Sequence, residues 1–396
     1  MDNIHVIEGS EAVAQAIKVC NPQVISAYPI SPQTHIVETL AQMIADGDLN
    51  AQYVRVESEF SAASVVAGAS AAGSRSYTVS SSQGLLLMTE VIYASVGMRL
   101  PFVLTGVNRS ISAPINIQVD HQDTISLRDS GIIQFYVESV QEAYDLHLAA
   151  FKIAEDPKIM LPVMICMDGW VLTHSYERVH FLDQEIVDDF LPPYQPENFL
   201  TPKDPKTWGS YAEADVLMEL KYAIHKAMTE GKQRIEHILI SLSTITGRSN
   251  SGLVEAYQTD GAEIILVAMG SMVGTIKDAI DELRSIGKKV GLIKIRCYRP
   301  FPFEDIWEVI KNAELVCVLD ASFSMGSEGP ISMDLKAKVC GGKMRPHIAN
   351  FIIGLGGREI NINTIRALVE KAEGSITSPH NLQEPEWVDL NHDILI

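Results

Sequence analysis

Val24-Ile25-Ser26-Ala27-Tyr28-Pro29-Ile30-Ser31-Pro32-Gln33-Thr34 is the stretch on which the fold turns: an apolar, strand-like run enters a loop where two prolines bracket one hydroxyl. Each proline holds its φ at about −65°, removes a backbone donor and pushes its predecessor, Tyr28 or Ser31, out of the helical region. Ser31 is thereby presented at the carboxyl end of a strand, where α/β sheets bind ligands. The plainer alternative is a tight strand-to-helix turn with Ser31 or Thr34 as helix cap.

Outward from this loop, β-branched runs alternate with alanine-rich stretches, the pattern of βαβ units and a parallel sheet. Strands are expected at Val24 to Ala27, Tyr77 to Ser80, Phe102 to Val107 and Val163 to Met167, with helices over Ser61 to Ala72 and Val140 to Ile153. This first domain is expected to span 1–182. Leu191-Pro192-Pro193-Tyr194-Gln195-Pro196 and Thr201-Pro202-Lys203-Asp204-Pro205 cannot hold a ladder or a helix, so 183–257 reads as a connector with a helix over about 218–247. Such a connector often wraps a neighbour. A second α/β domain, 258–396, is expected, with strands at Ala262 to Ala268, Lys289 to Ile295 and Leu315 to Asp320 and a helix over Thr275 to Ile286.

Composition sets the limits. The 396 residues suit two compact units, and with 46% hydrophobic residues they can bury sizeable cores. A formal charge of −19 argues against nucleic acid or an anionic membrane as partner, because both require a basic surface. Met1-Asp2-Asn3-Ile4-His5 lacks the features of a signal peptide, and no apolar run is long enough to span a bilayer, so the expected location is the cytoplasm. Cys20, Cys166, Cys297, Cys317 and Cys340 form no Cys-x-x-Cys pair, which leaves no local zinc-ribbon or iron–sulfur motif. Redox centres, if any, belong to another chain, and no metal ligand is expected in this one.

Four constellations could carry chemistry. Ser31 is the first. The second is Glu57-Ser58-Glu59, which leads into a helix of almost only small residues; a carboxylate there sits well against the helix dipole, although acids at helix starts are also common caps. The third, Asn108-Arg109-Ser110, ends a strand on a guanidinium that could grip a carboxylate or phosphate, or simply form a structural ion pair. The fourth is Asp120-His121-Gln122-Asp123, whose lone histidine is more often structural. There is no G-x-G-x-x-G fingerprint, phosphate loop or nucleophile elbow, and Gly354-Leu355-Gly356-Gly357-Arg358 lacks the spacing of a nucleotide loop. Ligand-loop features without a complete catalytic apparatus suggest one half of a shared site.

In order along the chain, these segments resemble the α subunit of the thiamine-diphosphate-dependent 2-oxoacid:ferredoxin oxidoreductases. Tyr28-Pro29-Ile30-Ser31-Pro32 is similar to that family's Tyr-Pro-Ile-Thr-Pro, and Ser58-Glu59 precedes the expected small-residue helix. Thr78-Val79-Ser80-Ser81-Ser82-Gln83-Gly84-Leu85-Leu86-Leu87-Met88 resembles its Thr-x-Ser-x-Gln-Gly-Leu-x-Leu-Met segment, followed by Asn108-Arg109 and Asp120-His121-Gln122-Asp123. Lys294-Ile295-Arg296-Cys297-Tyr298-Arg299-Pro300-Phe301-Pro302 looks like part of the transketolase carboxy-terminal domain.

The resemblance implies an α/β chain with a pyrimidine-binding parallel-sheet domain and a transketolase C-terminal-like domain. It implies Glu59 as the residue that hydrogen-bonds the aminopyrimidine, with Pro29, Ile30, Gln83 and Gly84 also on the cofactor, and Ser31, Arg109 and Tyr28 on the substrate. Asp46-Gly47-Asp48-Leu49-Asn50 mimics only a fragment of the diphosphate motif. The diphosphate and Mg2+ are therefore expected on a β subunit, and the [4Fe-4S] clusters on ferredoxin-like γ and δ subunits that reduce ferredoxin. The implied activity is oxidative decarboxylation of a 2-oxoacid to an acyl-coenzyme A. Serine replaces the family's threonine at position 31 and carries no charge, which favours a monocarboxylic acid, pyruvate first. Branched-chain or aromatic 2-oxoacids, phenylglyoxylate among them, and oxalate stay open, as does a non-catalytic subunit that kept the fold.

Overall fold

Strands without polar alternation must be covered on both faces, which parallel sheets achieve with helices. Val103–Asn108 and Val163–Asp168, buried at every position, sit at the centre of a seven-stranded sheet. The computed structural model describes residues 3–340, 346–376 and 384–395. Across the sheet the order is Cys297–Arg299, Ile133–Tyr136, Val163–Asp168, Val103–Asn108, Ser76–Ser80, Val24–Ala27 and Gln52–Arg55. All neighbours are parallel except Cys297–Arg299, which pairs antiparallel with Ile133–Tyr136. The four strands expected here form within a residue of their expected ends, and the two expected helices span Glu59–Ala71 and Val140–Ala154.

From Val24–Ala27 the chain moves outward to Gln52–Arg55, then returns past it to Ser76–Ser80. The two crossover helices consequently lie on opposite faces. Thr34–Ala45 packs Ile36, Val37 and Leu40 into one core, whereas Glu59–Ala71 packs Ala62, Ala63 and Val66 into the other. The carboxyl ends of Val24–Ala27 and Ser76–Ser80 thus flank the reversal of strand order, where α/β sheets open a binding crevice.

The second sheet runs Glu386–Trp387, His347–Ile352, Leu315–Asp320, Ile264–Ala268, Val290–Ile295 and Val254–Tyr257. Its last strand, antiparallel to Val290–Ile295, lies within the expected connector 183–257. The rest of the connector wraps the first unit: Arg75 donates to the Pro192 carbonyl at 2.7 Å, the Leu200 N–H to the Ala71 carbonyl at 2.7 Å, and Phe199 lies against Gly73. The helix Leu217–Thr246 then packs Ile235, Ile238, Leu239 and Leu242 into the same core as Val140–Ala154. No helix among the described residues is long and apolar enough to cross a membrane.

Between Val290–Ile295 of one sheet and Cys297–Arg299 of the other stands Arg296 alone. Its Nε donates to Glu142 at 2.8 Å and its Nη2 to Glu255 at 2.9 Å, while Nη1 donates to the Ser251 and Gly252 carbonyls. Lys294 donates to both oxygens of Glu142, at 2.7 and 2.8 Å, and lies 2.8 Å from Glu138. Both cations are almost wholly buried, Lys294 at 2% exposure and Arg296 at 1%. Burial works to raise the Glu142 carboxyl, but the two cations outweigh it and hold its pKa down at about 2. Removing one partner of such a cluster leaves uncompensated buried charge, a loss of about 3–5 kcal/mol.

Glu142→Gln is therefore expected to lower unfolding stability by about 3–5 kcal/mol at neutral pH, read as a lower denaturant midpoint. The depressed carboxyl contributes stability that is full above its unfolded pKa of about 4.3 and is lost as pH falls toward about 2. Glu142→Gln should flatten this acid limb; an unchanged acid limb would show that the cluster does not hold the two sheets together.

Candidate functional site

The strand Gln52–Arg55 passes through Val56-Glu57-Ser58 into the helix Glu59–Ala71. Ser58 caps that helix, its hydroxyl accepting the Ser61 N–H at 3.3 Å, while Glu57 accepts the Ser61 hydroxyl. Glu59 is thus free of capping duty. Its side chain is buried, the residue 7% exposed, and among the described residues its carboxylate has no hydrogen-bond partner. A Cβ at Gly84 would sit 2.6 Å from Oε1 of Glu59 and would collide with the Ser80 hydroxyl, so this glycine is what leaves room for the carboxylate. The hydroxyls of Ser80 and Ser81, at the end of Ser76–Ser80, are likewise buried and unpartnered. A carboxylate at a helix N-terminus, with the unpaired Ser80 hydroxyl flanking the same glycine, forms a cradle that could meet a polar ligand edge.

The strand Val103–Asn108 delivers Arg109, whose Nη1 donates to the carbonyl of Ser31 at 2.8 Å. Two expected site residues therefore meet. Arg109 is buried, forms no ion pair among the described residues, and leaves its Nε unpartnered, so the structural ion pair considered from sequence is absent. Burial lowers its pKa, and the nearby Asp123 acts in the opposite direction. Neither Ser31 nor Thr34 caps the helix Thr34–Ala45; Gln33 occupies the N-cap position and donates to the Tyr28 carbonyl at 2.9 Å, bracing the loop from beneath. Tyr28, Pro29 and Ser31 face solvent, with Ile30 half-buried.

Asp123 joins these loops. Its Oδ2 accepts the backbone N–H groups of Ser82 and Arg109 at 2.8 and 3.0 Å, and its Oδ1 accepts the Asn108 amide and the Thr124 N–H. Burial, helped by the nearby Asp120 charge, pushes its pKa up to about 7 against the hydrogen bonds from Ser82, Asn108 and Arg109. The bond to Asp123 holds Ser82 at φ 50°, a left-handed conformation that a serine adopts only when surrounding contacts impose it. The Ser82 hydroxyl lies between the Gln83 side-chain carbonyl and the Ser110 carbonyl, placing Gln83 and Gly84 at the start of the next helix.

His121 is not alone. Its Nε2 lies 2.8 Å from Asp168, and the other Asp168 oxygen accepts the Ser271 N–H at 2.8 Å and hydroxyl at 2.6 Å from the second sheet. Burial disfavours both charges, yet each raises the other's preference for it, so the imidazole is pushed up and the carboxyl down. Gly270, at φ 80°, permits the approach: a Cβ there would sit 2.7 Å from Nε2 of His121. Asp168 and Ser271 were not singled out in the sequence; the only signal was an acid closing an apolar strand. Together they line a cleft of about 200 Å³ with Asp120, His121 and Arg358 between the two units.

Residues 15–239 match the family model described as pyruvate flavodoxin/ferredoxin oxidoreductase, thiamine diphosphate-binding, and residues 262–365 match that for pyruvate:ferredoxin oxidoreductase core domain II. The chain is 48% identical to pyruvate synthase subunit PorA of Methanosarcina barkeri, over 98% of this chain and 97% of the relative. It is 39% identical to ketoisovalerate oxidoreductase subunit VorA of Pyrococcus abyssi, over 97% of each. Among solved structures it resembles the 2-oxoglutarate:ferredoxin oxidoreductase of Magnetococcus marinus, with a TM-score of 0.71 at 20% identity, over 94% of this chain and 65% of that one. At that identity the likeness speaks for the fold.

If Gly84 is glycine to make room for Glu59, Gly84→Ala should destabilise the chain by about 1–3 kcal/mol in thermal or denaturant unfolding. Gly68→Ala is the control: nothing lies within 4 Å of its added methyl, so it should be neutral or gain up to about 1 kcal/mol. Equal effects of the two changes would refute the close approach.

Proposed function

The chain belongs to the pyruvate flavodoxin/ferredoxin oxidoreductase family, and from that premise we propose that it is the α subunit of a multisubunit 2-oxoacid:ferredoxin oxidoreductase acting on pyruvate. The observation that carries this reading is Glu59: a buried, unpartnered carboxylate at a helix N-terminus beside the strand-order reversal, with a glycine opposite that leaves it accessible. The residues present fit the aminopyrimidine end of thiamine diphosphate. Glu59 would hold it by its ring nitrogen, and Pro29, Ile30, Gln83 and Gly84 would border the ring. When bound, thiamine diphosphate supplies the electron sink for removing the carboxylate of a 2-oxoacid.

This chain's own part is positioning, proton handling and exclusion of water. Glu59 would hold or release a proton at its carboxylate beside the ring nitrogen, which is the work of a carboxylate and cannot be done by an amide. Arg109, already hydrogen-bonded to the Ser31 carbonyl, has an unpaired Nε to offer a substrate carboxylate, and the Ser31 hydroxyl and Tyr28 would meet the rest of the acid. Enclosure away from water favours loss of carbon dioxide, because charge is dispersed in the transition state. Ser31 adds a hydroxyl and no charge, consistent with a monocarboxylic substrate, and the more similar relatives carry pyruvate in their names.

Partner subunits complete the reading. The diphosphate and Mg2+ belong on a β subunit, the iron–sulfur clusters on γ and δ subunits that pass electrons to ferredoxin, and coenzyme A takes the acyl group.

In the assembled complex with saturating thiamine diphosphate, Glu59→Gln is expected to lower kcat by about 10²–10⁴-fold. Near-normal turnover would remove the assigned role. Arg109→Ala should raise KM for the 2-oxoacid about tenfold or more, with Arg109→Lys intermediate, and an unchanged kcat/KM would count against carboxylate binding. A panel of pyruvate, 2-oxoisovalerate and phenylglyoxylate, read by ferredoxin reduction, tests the substrate; preference for another acid overturns pyruvate while leaving Glu59 untouched.

A further inference from the structure

We propose that Glu8, His35 and His174 form a binding site for a divalent transition metal of the zinc class. The three residues come from segments distant in sequence, and one ligand atom from each lies within 4.8 Å of the others. Glu8 ends the strand Ile4–Glu8, and the register places it opposite Tyr176, so His174 is two residues from its partner strand's edge. His35 is the second residue of the helix that begins at Thr34, immediately after the loop carrying Ser31. Among the described residues no other set of three His, Cys, Asp or Glu side chains converges in this way.

The chemistry of the set is specific. Two imidazoles and one carboxylate, with a fourth position for water, are a recurrent zinc donor set, whereas calcium and magnesium select oxygen ligands. Nδ1 of His35 lies 2.7 Å from Oε1 of Glu8, and the His35 and His174 rings face each other at a centroid distance of 4.8 Å. A tetrahedral ion with bonds of about 2.1 Å holds its ligand atoms about 3.4 Å apart, so only small side-chain adjustments are needed. The supporting contacts are also present: Thr173 Oγ1 lies 2.7 Å from Nδ1 of His174, which fixes the ring and leaves Nε2 to ligate, and Trp170 packs on the same ring at 4.3 Å. The His35 side chain is 48% exposed and Glu8 17%, which gives an ion a route in.

Such an ion would tie the first turn of the Thr34–Ala45 helix to the Glu8 and His174 segments. The loop Tyr28 to Thr34 would then be anchored from behind, on the side away from Glu59's helix. Glu8, His35 and His174 show no metal-ligand spacing along the chain; the pairing of Ile4–Glu8 with Tyr176–His180 brings Glu8 near His174, and the start of the Thr34–Ala45 helix adds His35.

The test is calorimetric titration of ZnCl2 into the full-length chain after treatment with chelator, repeated with CoCl2 under visible absorption. One ion per chain is expected, with a cobalt spectrum of nitrogen and oxygen ligation that lacks sulfur-to-metal charge transfer. His35→Gln and His174→Gln should each weaken binding tenfold or more, and zinc should raise the Tm of the native chain but not of either variant. His237→Gln, an exposed histidine on the Leu217–Thr246 helix, should leave binding unchanged. Absence of zinc binding by the folded native chain, a thiolate spectrum, or equal affinity in all three variants would overturn the proposal.

Discussion

The buried carboxylate of Glu142 is the constraint from which the arrangement of the two units follows. It lies on the Val140–Ala154 helix of the first unit and, together with Glu138 and Glu255, neutralises Lys294 and Arg296 on the way from the second sheet to the first. Two cations this deeply buried are tolerable only with that carboxylate in place. One residue beyond the strand Val290–Ile295, Cys297–Arg299 joins the edge of the first sheet. The apolar consequence is a single core that crosses the boundary, with Ala62, Leu104 and Met164 of the first unit packed in one cluster with Ile265, Val267 and Val316 of the second. Sheets locked in this way bring their loops together, as the Asp168 to Ser271 and Gly357 to Val119 hydrogen bonds show.

On that scaffold the functional loops are held by backbone hydrogen bonds to buried acids. Asp123 receives N–H groups from the loops after Ser76–Ser80 and Val103–Asn108 and imposes the left-handed Ser82. Arg109, held by its own backbone to Asp123, extends its side chain to the loop after Val24–Ala27. Three strand ends are therefore coupled through one carboxylate. Preorganisation of this kind places donors before a ligand arrives and leaves little to reorganise during reaction. Asp320 repeats the device in the second unit, where it accepts the Ile331 and Ser332 N–H groups at the start of the Pro330–Val339 helix.

The parts of this structure that were legible in the sequence are those fixed locally. Apolar runs such as Val103–Asn108 are buried on both faces whatever surrounds them, and the small-residue helix expected from Ser61 forms, beginning two residues earlier at Glu59. The two prolines made the Ser31 loop recognisable before its neighbours were known. What sequence left out depends on long-range pairing. Gln52–Arg55 is a half-exposed edge strand with polar ends, and Ile133–Tyr136 contains a buried glutamine whose amide nitrogen donates to the Thr124 carbonyl while its oxygen has no hydrogen-bond partner among the described residues. Val254–Tyr257 has no apolar periodicity to distinguish it from the connector before it, and becomes a strand because Val290–Ile295 offers an open edge. Likewise His121 looked solitary because its partner Asp168 is 47 positions away, and the Ser271 that in turn donates to Asp168 follows a strand of the other sheet.

The rim of the Glu59 cradle carries exposed apolar side chains. Tyr28 opens the proline loop, Phe60 follows Glu59, and Leu86 and Leu87 follow Gly84, yet these four side chains are 37 to 49% exposed. Leaving large apolar groups in water forgoes the stabilisation of about 1.5–3 kcal/mol that burial of each is worth. Under the proposed function these side chains face the diphosphate-binding subunit. Docking it would bury the apolar rim and exclude water from Glu59 in the same step, so the proton-handling carboxylate becomes fully enclosed only once the diphosphate half of the cofactor site has arrived.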